Sequence, residues 1–132
     1  MKNDTLLKEI DFCIRDVCIV LWKKGYETMY SCSGISYDHT EKLNNEGNGY
    51  IVIRITRVKD IFLFLKLKLK FKDKIILSRR GDDQVLAFDF HIFAIKEFAE
   101  LKYGNISKLS VSEINQVDLY QLRVWEEFLK SI

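Results

Sequence analysis

The chain has 132 residues, the length of one ordinary domain, and 48% of them are hydrophobic and 30% charged, a balance that excludes a disordered polymer. Its formal net charge of +2 excludes whole-molecule attraction to nucleic acid, so any such attraction needs a local basic patch. Cys13, Cys18 and Cys32 are odd in number and irregular in spacing. They make no disulfide framework and point to a reducing cytoplasmic setting.

The opening Met1-Lys2-Asn3-Asp4 lacks the apolar region of a secretory signal, and the longest apolar run of the first helix, Val17–Trp22, is too short to span a bilayer, so no membrane partner is expected. Proline is absent, and neither a linker nor a repeat divides the chain, which favours a single domain over 1–132. Leu6, Leu7, Ile10, Ile14, Val17, Cys18 and Leu21 recur at helical spacing and predict a helix from Thr5 to about Lys24. Asp4 or Thr5 caps its start, Lys23 and Lys24 suit the negative end of its dipole, and Gly25 stops it. Tyr26–Ser33 reads as a strand entering a turn at Gly34, Ile35–Asn48 as a long polar loop, and Tyr50–Ile55 as a second strand.

Lys59–Lys72 admits two readings. Asp60 is a plausible helix cap, yet Leu65, Leu67, Leu69 and Phe71 alternate with Lys66, Lys68, Lys70 and Lys72 at the period of a strand. The balance tips to a helix from Asp60 fraying near Lys70; the alternative is an edge strand with one lysine face. Lys74–Arg80 and Gln84–Phe90 form a hairpin around Gly81-Asp82-Asp83, with Ile75 and Leu77 pointing one way and Val85, Ala87 and Asp89 sharing a side. Asp89 is expected to cap a helix over His91–Tyr103, closed by Gly104. Ser110-Val111-Ser112-Glu113 fits a capping box, opening a last helix to about Lys130 that buries Ile114, Val117, Leu122, Trp125 and Leu129. Helices and strands mix without βαβ alternation. The expected fold is therefore α+β, an antiparallel or mixed sheet of about four strands packed against helices.

The stretch Gly25–Gly34, GYETMYSCSG, carries the main functional expectation. Small residues after a strand let successive N–H groups converge on an anion, Ser31 and Ser33 add hydroxyl donors, and Gly34 tolerates positive φ. The plainer alternative is a glycine-terminated strand end with its hydroxyls in water. Gly25, Tyr26, Thr28, Ser31, Cys32, Ser33 and Gly34, followed by the strand from Tyr50, resemble the tRNA wybutosine-synthesising methyltransferase family, whose members methylate a tricyclic guanosine derivative in phenylalanine tRNA. The resemblance implies an α+β fold, S-adenosylmethionine as cofactor and tRNA as partner, with Ser31, Cys32, Ser33 and Gly34 in the ligand site. That family places Arg or His directly after the glycine. Here the position holds Ile35, and His39 is the residue that would take over.

The basic residues Arg54, Arg57, Lys66, Lys68, Lys70, Lys72, Lys74, Arg79 and Arg80 would make a phosphate-tracking surface if they converged beside this loop, with Tyr26, Tyr30, Tyr37 and Tyr50 as stacking faces for unpaired bases. Otherwise they are a solvated face. Cys32 with His39 or His91 as base is the weaker nucleophile reading. The sequence lacks the CxxC and HxxxH spacings of metal sites, and it has neither a P-loop nor GxGxxG. Two functions are therefore expected. One is an S-adenosylmethionine-dependent RNA methyltransferase, active or degenerate. The other is a non-catalytic RNA- or protein-binding module, including a homodimer paired through an edge strand on Lys66–Lys72.

Overall fold

The computed structural model describes residues 10, 12–35, 48–80, 85–93 and 110–132. Within them the fold is α+β, as the sequence predicts. A short 3₁₀ turn, Phe12–Ile14, leads into α1 (Arg15–Lys23), then β1 (Thr28–Cys32), β2 (Asn48–Arg54), α2 (Val58–Phe71), a 3₁₀ turn Lys72–Lys74, β3 (Ile75–Arg80), β4 (Val85–Phe93) and α3 (Val111–Ser131). The four strands form one sheet in the order β1-β2-β4-β3, every neighbouring pair antiparallel.

The pleat sorts the side chains. Ile51 pairs with Phe90 and Ile53 with Phe88, and these side chains join Ile75 and Ile92 in the core beneath the helices. Against that inner face α1 sets Val17, Cys18 and Leu21, α2 sets Leu63 and Leu67, and α3 sets Val117, Trp125 and Phe128. Aromatic rings dominate the centre: Phe90 lies 4.6 Å from Phe128, 4.9 Å from Phe71 and 5.6 Å from Trp125 between centroids. The alternate positions, Tyr50 paired with His91 and Val52 with Asp89, point to the outer face.

β1 departs from simple alternation. Its register shifts between Thr28 and Tyr30, so Thr28 pairs with Ile53 on the inner side whereas Tyr30 pairs with Val52 on the outer side. The extra residue, Met29, makes a bulge, and a bulge re-aims the side chain that follows it. Thr28 Oγ1 accepts a bond of 2.9 Å from Trp22 Nε1, tying the inner side of the bulge to α1.

Lys59–Lys72 resolves as helix, which removes the route to a dimer through an edge strand on Lys66–Lys72; the edges of the sheet are β1 and β3. Asp60 is not the cap residue. Arg57 holds that position, and Asp60 sits inside the first turn, where its Oδ2 accepts from the backbone N–H of Arg57 at 2.9 Å and of Thr56 at 3.0 Å. Asp60 is fully buried. Burial alone would raise its carboxyl, but these N–H donors and the Arg57 guanidinium outweigh it and hold the pKa below the ordinary 3.8. With its folded value below its unfolded one, Asp60 contributes stability above about pH 4, and that contribution is lost as pH falls through the folded value. Urea titrations should therefore show a full stability gap between the wild type and Asp60→Asn at neutral pH, shrinking on acidification.

Asp89, His91, Ile92 and Phe93 do not open the predicted helix: β4 runs straight through them. Asp89 is in mid-strand, its carboxylate taking a 2.7 Å bond from the Ser78 hydroxyl and an ion pair from Arg80. The rest of the predicted 91–103 helix lies outside the described residues, as do the hairpin turn, the 36–47 loop and the start of the first helix. Ile75 and Leu77 do share the inner side, opposite Phe90 and Phe88, but Leu77 is left exposed at the sheet edge. Ser110 and Glu113 form the predicted capping box, with reciprocal bonds of 3.2 and 2.9 Å.

Candidate functional site

The sequence motif divides between two environments. Ser31 pairs with Ile51 on the inner side of β1, beside the buried Cys18 thiol. Burial pushes that thiol up to about 11, against the smaller pull of the Ser31 hydroxyl, so Cys18 is no nucleophile at neutral pH. Ser33, Gly34 and Ile35 run under the sheet into the core. Ser33 and Ile35 are fully buried. The Ser33 carbonyl accepts a 2.8 Å bond from Trp125 Nε1, and its hydroxyl accepts from the Ile35 N–H at 3.2 Å. A Cβ on Gly49 would stand 2.5 Å from the Ser33 carbonyl oxygen. The backbone here is therefore clamped between β2 and α3. Gly34 does adopt positive φ, at 71°.

Cys32 faces the other way. It pairs with Tyr50, which pairs with His91, so these three residues form one row across the outer face. Next to this row is a hollow of about 340 Å³ lined by Tyr30, Tyr50, Val52, Arg80 and His91. Val52 is fully buried among these neighbours. Tyr30 is mostly exposed, and the Tyr50 and His91 rings lie 6.0 Å apart at 40°. Arg80 donates through Nε and Nη2 to Asp89 Oδ1, the Nε bond at 3.2 Å. The buried carboxylate thus orients the guanidinium while leaving N–H groups unspent. Burial lowers the His91 pKa, Asp89 pulls it back and Arg80 adds to the lowering, a balance that favours the neutral ring.

Of the basic residues named from sequence, Arg80 alone lines this hollow. Arg54 faces Glu27 at 3.7 Å, and Arg57 pairs with Asp60 at 3.2 Å and donates to the Gly25 carbonyl. Lys68 donates to the Ile75 carbonyl at 2.7 Å, and Lys70 reaches Glu127 at 3.2 Å and the Ser131 hydroxyl at 2.7 Å. Lys66 is exposed on α2 and Arg79 on the inner side of β3, opposite Leu86. The basic residues are thus dispersed over both sides of the sheet and do not converge on the Ser31–Gly34 segment. A second hollow of about 420 Å³ collects Lys70, Lys74 and Arg123 between α2 and α3, away from that segment. His39 and Tyr37 lie outside the described residues. Among the described residues, no three of His, Cys, Asp and Glu gather as metal ligands would, and no helix is long and apolar enough to cross a membrane.

No family model, curated protein or solved structure matches this chain. Sequence reasoning named His91 only as a base for Cys32 and missed its place on a strand beside Tyr50, because Asp89 reads as a helix cap. The alternation of Ala87, Asp89 and His91 with Phe88, Phe90 and Ile92 was the available signal.

Proposed function

We propose that the protein is a non-catalytic module that binds unpaired RNA on the outer face of its sheet. The observation that carries this reading is the ring of Tyr30, Tyr50 and His91 around a hollow that also receives the Arg80 guanidinium. Neutral aromatic rings on a sheet offer stacking faces to splayed bases, and an oriented guanidinium offers N–H donors to the adjoining phosphate. Among the described residues, the helices α1, α2 and α3 all contribute to the core on the inner face, the side opposite these rings. A non-catalytic role is favoured because Ser33 is committed to the packing and Ile35, where the resembled family carries a basic residue, belongs to the core. The cytoplasm suits Cys13, Cys18 and Cys32, which are thiols rather than disulfides.

Fluorescence anisotropy with a labelled single-stranded oligoribonucleotide tests the reading. Stacking is worth about 1–3 kcal/mol per base, so Tyr50→Ala and Tyr30→Ala should each weaken binding about 5- to 150-fold, with a duplex of the same sequence bound less well than the single strand. Equal binding by wild type and both variants would remove the proposal. Titration with S-adenosylmethionine should give no saturable heat; a saturable signal accompanied by methyl transfer to tRNA would return the protein to the methyltransferase reading.

A further inference from the structure

The helix α2 has two apolar faces, and the fold uses one. Asp60, Leu63, Phe64, Leu67 and Phe71 turn toward the core. On the opposite side Val58, Phe62, Leu65 and Leu69 are all exposed, Leu69 by 83%. Their spacings of four, three and four residues are those of successive d and a positions in a heptad repeat. In that register the e positions are Lys59 and Lys66, and the g positions are Ile61 and Lys68. An exposed stripe of this kind on a small domain marks an interaction surface.

Charge selects the occupant. The one carboxylate within α2, Asp60, faces the core and is bonded there. A second copy of the chain would bring only more lysines and an isoleucine to the flanks of an α2–α2 seam, without a carboxylate from either helix to receive them. Lys59 donates to the Lys24 carbonyl and Lys68 to the Ile75 carbonyl, so of these three lysines it is the exposed Lys66, at an e position, that is placed to meet a partner's carboxylate. The heptad spacing matches the knobs of a facing helix, a constraint that a fluid lipid surface does not impose. We infer that α2 docks an amphipathic helix of another protein, one with apolar residues at its a and d positions and Glu or Asp at its e and g positions.

The probe is a labelled synthetic heptad peptide with Leu at a and d and Glu at e and g, compared with the same peptide carrying Lys at e and g. The Glu peptide should bind the full-length protein, and its affinity should fall as salt is raised. Leu65→Asp should weaken it at least about tenfold, the loss expected of a central apolar anchor. Leu69→Ser, on the most exposed side chain of the stripe, gives a second variant, and an unchanged circular dichroism spectrum confirms folding for both. The inference fails if the Glu peptide does not bind, if both peptides bind equally, or if neither variant weakens binding. It also fails if sedimentation shows a wild-type dimer that Leu65→Asp splits, or if the stripe instead holds the protein on phosphatidylserine vesicles. The RNA proposal concerns different residues, so Tyr50→Ala should leave peptide binding intact.

Discussion

Trp125→Ala is expected to destabilise the protein by about 3–5 kcal/mol, the range for deleting a buried tryptophan. Thermal unfolding should show a midpoint lower by roughly 15 °C for a domain of this size. Two losses combine in that figure. The ring is 1% exposed and packs edge-on against Phe90 and Phe128, so its removal opens a cavity at the centre of the core. It also takes away the indole N–H that serves the buried Ser33 carbonyl. Trp125→Phe separates the two, because the phenyl ring keeps much of the packing while the donor is lost. Its cost should be about 1–3 kcal/mol, most of it from the carbonyl left without that donor. A phenylalanine variant as stable as wild type would mean that the bond to Ser33 contributes nothing.

Gly49→Ala should cost about 3 kcal/mol or more, far beyond the ordinary effect of adding one methyl to a strand. The new Cβ would stand 2.5 Å from the Ser33 carbonyl oxygen and 2.6 Å from Gln121 Nε2. The first of these atoms is backbone, held by Trp125, and the second belongs to a fully buried side chain. The Ser33 oxygen cannot step aside without shifting the backbone that follows β1, and this contact carries most of the expected cost. The variant should therefore unfold at lower urea concentration and also lose protection from hydrogen exchange along β1. Wild-type stability would show that the strand ends relax freely here, and the clamp on the Ser33 segment would then be an idle contact.

Much of the fold was readable because its signals are local. The capping box at Ser110 and Glu113, the β-branched run of β2 and the glycine after α1 each state their structure within a few residues. The alternation across Leu65–Lys72 was harder for a geometric reason. Two residues along a helix turn the chain by about 200°, so a period of two also describes a helix with two opposed apolar faces. Leu67 and Phe71 serve the core, and Leu65 and Leu69 the outer stripe. The course of β4 was hidden by Asp89, whose partners Ser78 and Arg80 come from the neighbouring strand. A carboxylate inside a strand becomes tolerable only through such cross-strand bonds, and no local pattern announces them.

The candidate site was half legible. Tyr30 and Tyr50 are the sort of residue that stacks bases, and the sequence singles them out. That Tyr30 shares the outer face with Tyr50 and His91 depends on Met29 standing outside the β1 ladder. That Ser33 and Ile35 are packed away depends on α3, far along the chain. The basic residues failed to converge for a similar reason. Most of them already have a carboxylate or a main-chain oxygen to serve, and those obligations are visible only in three dimensions.

The irregular step at Met29 acts as a phase shifter. Strand pleating carries parity, and Thr28 and Tyr30 keep their opposite faces only because Met29 stands outside the ladder. Taken into regular pairing with Val52, Met29 would push Tyr30 opposite Ile51 and turn its ring toward the helices. A chain shortened by that one residue would instead run straight through the step, with Thr28 still opposite Ile53 and Tyr30 still opposite Val52. The position is therefore expected to accept a deletion more readily than an insertion.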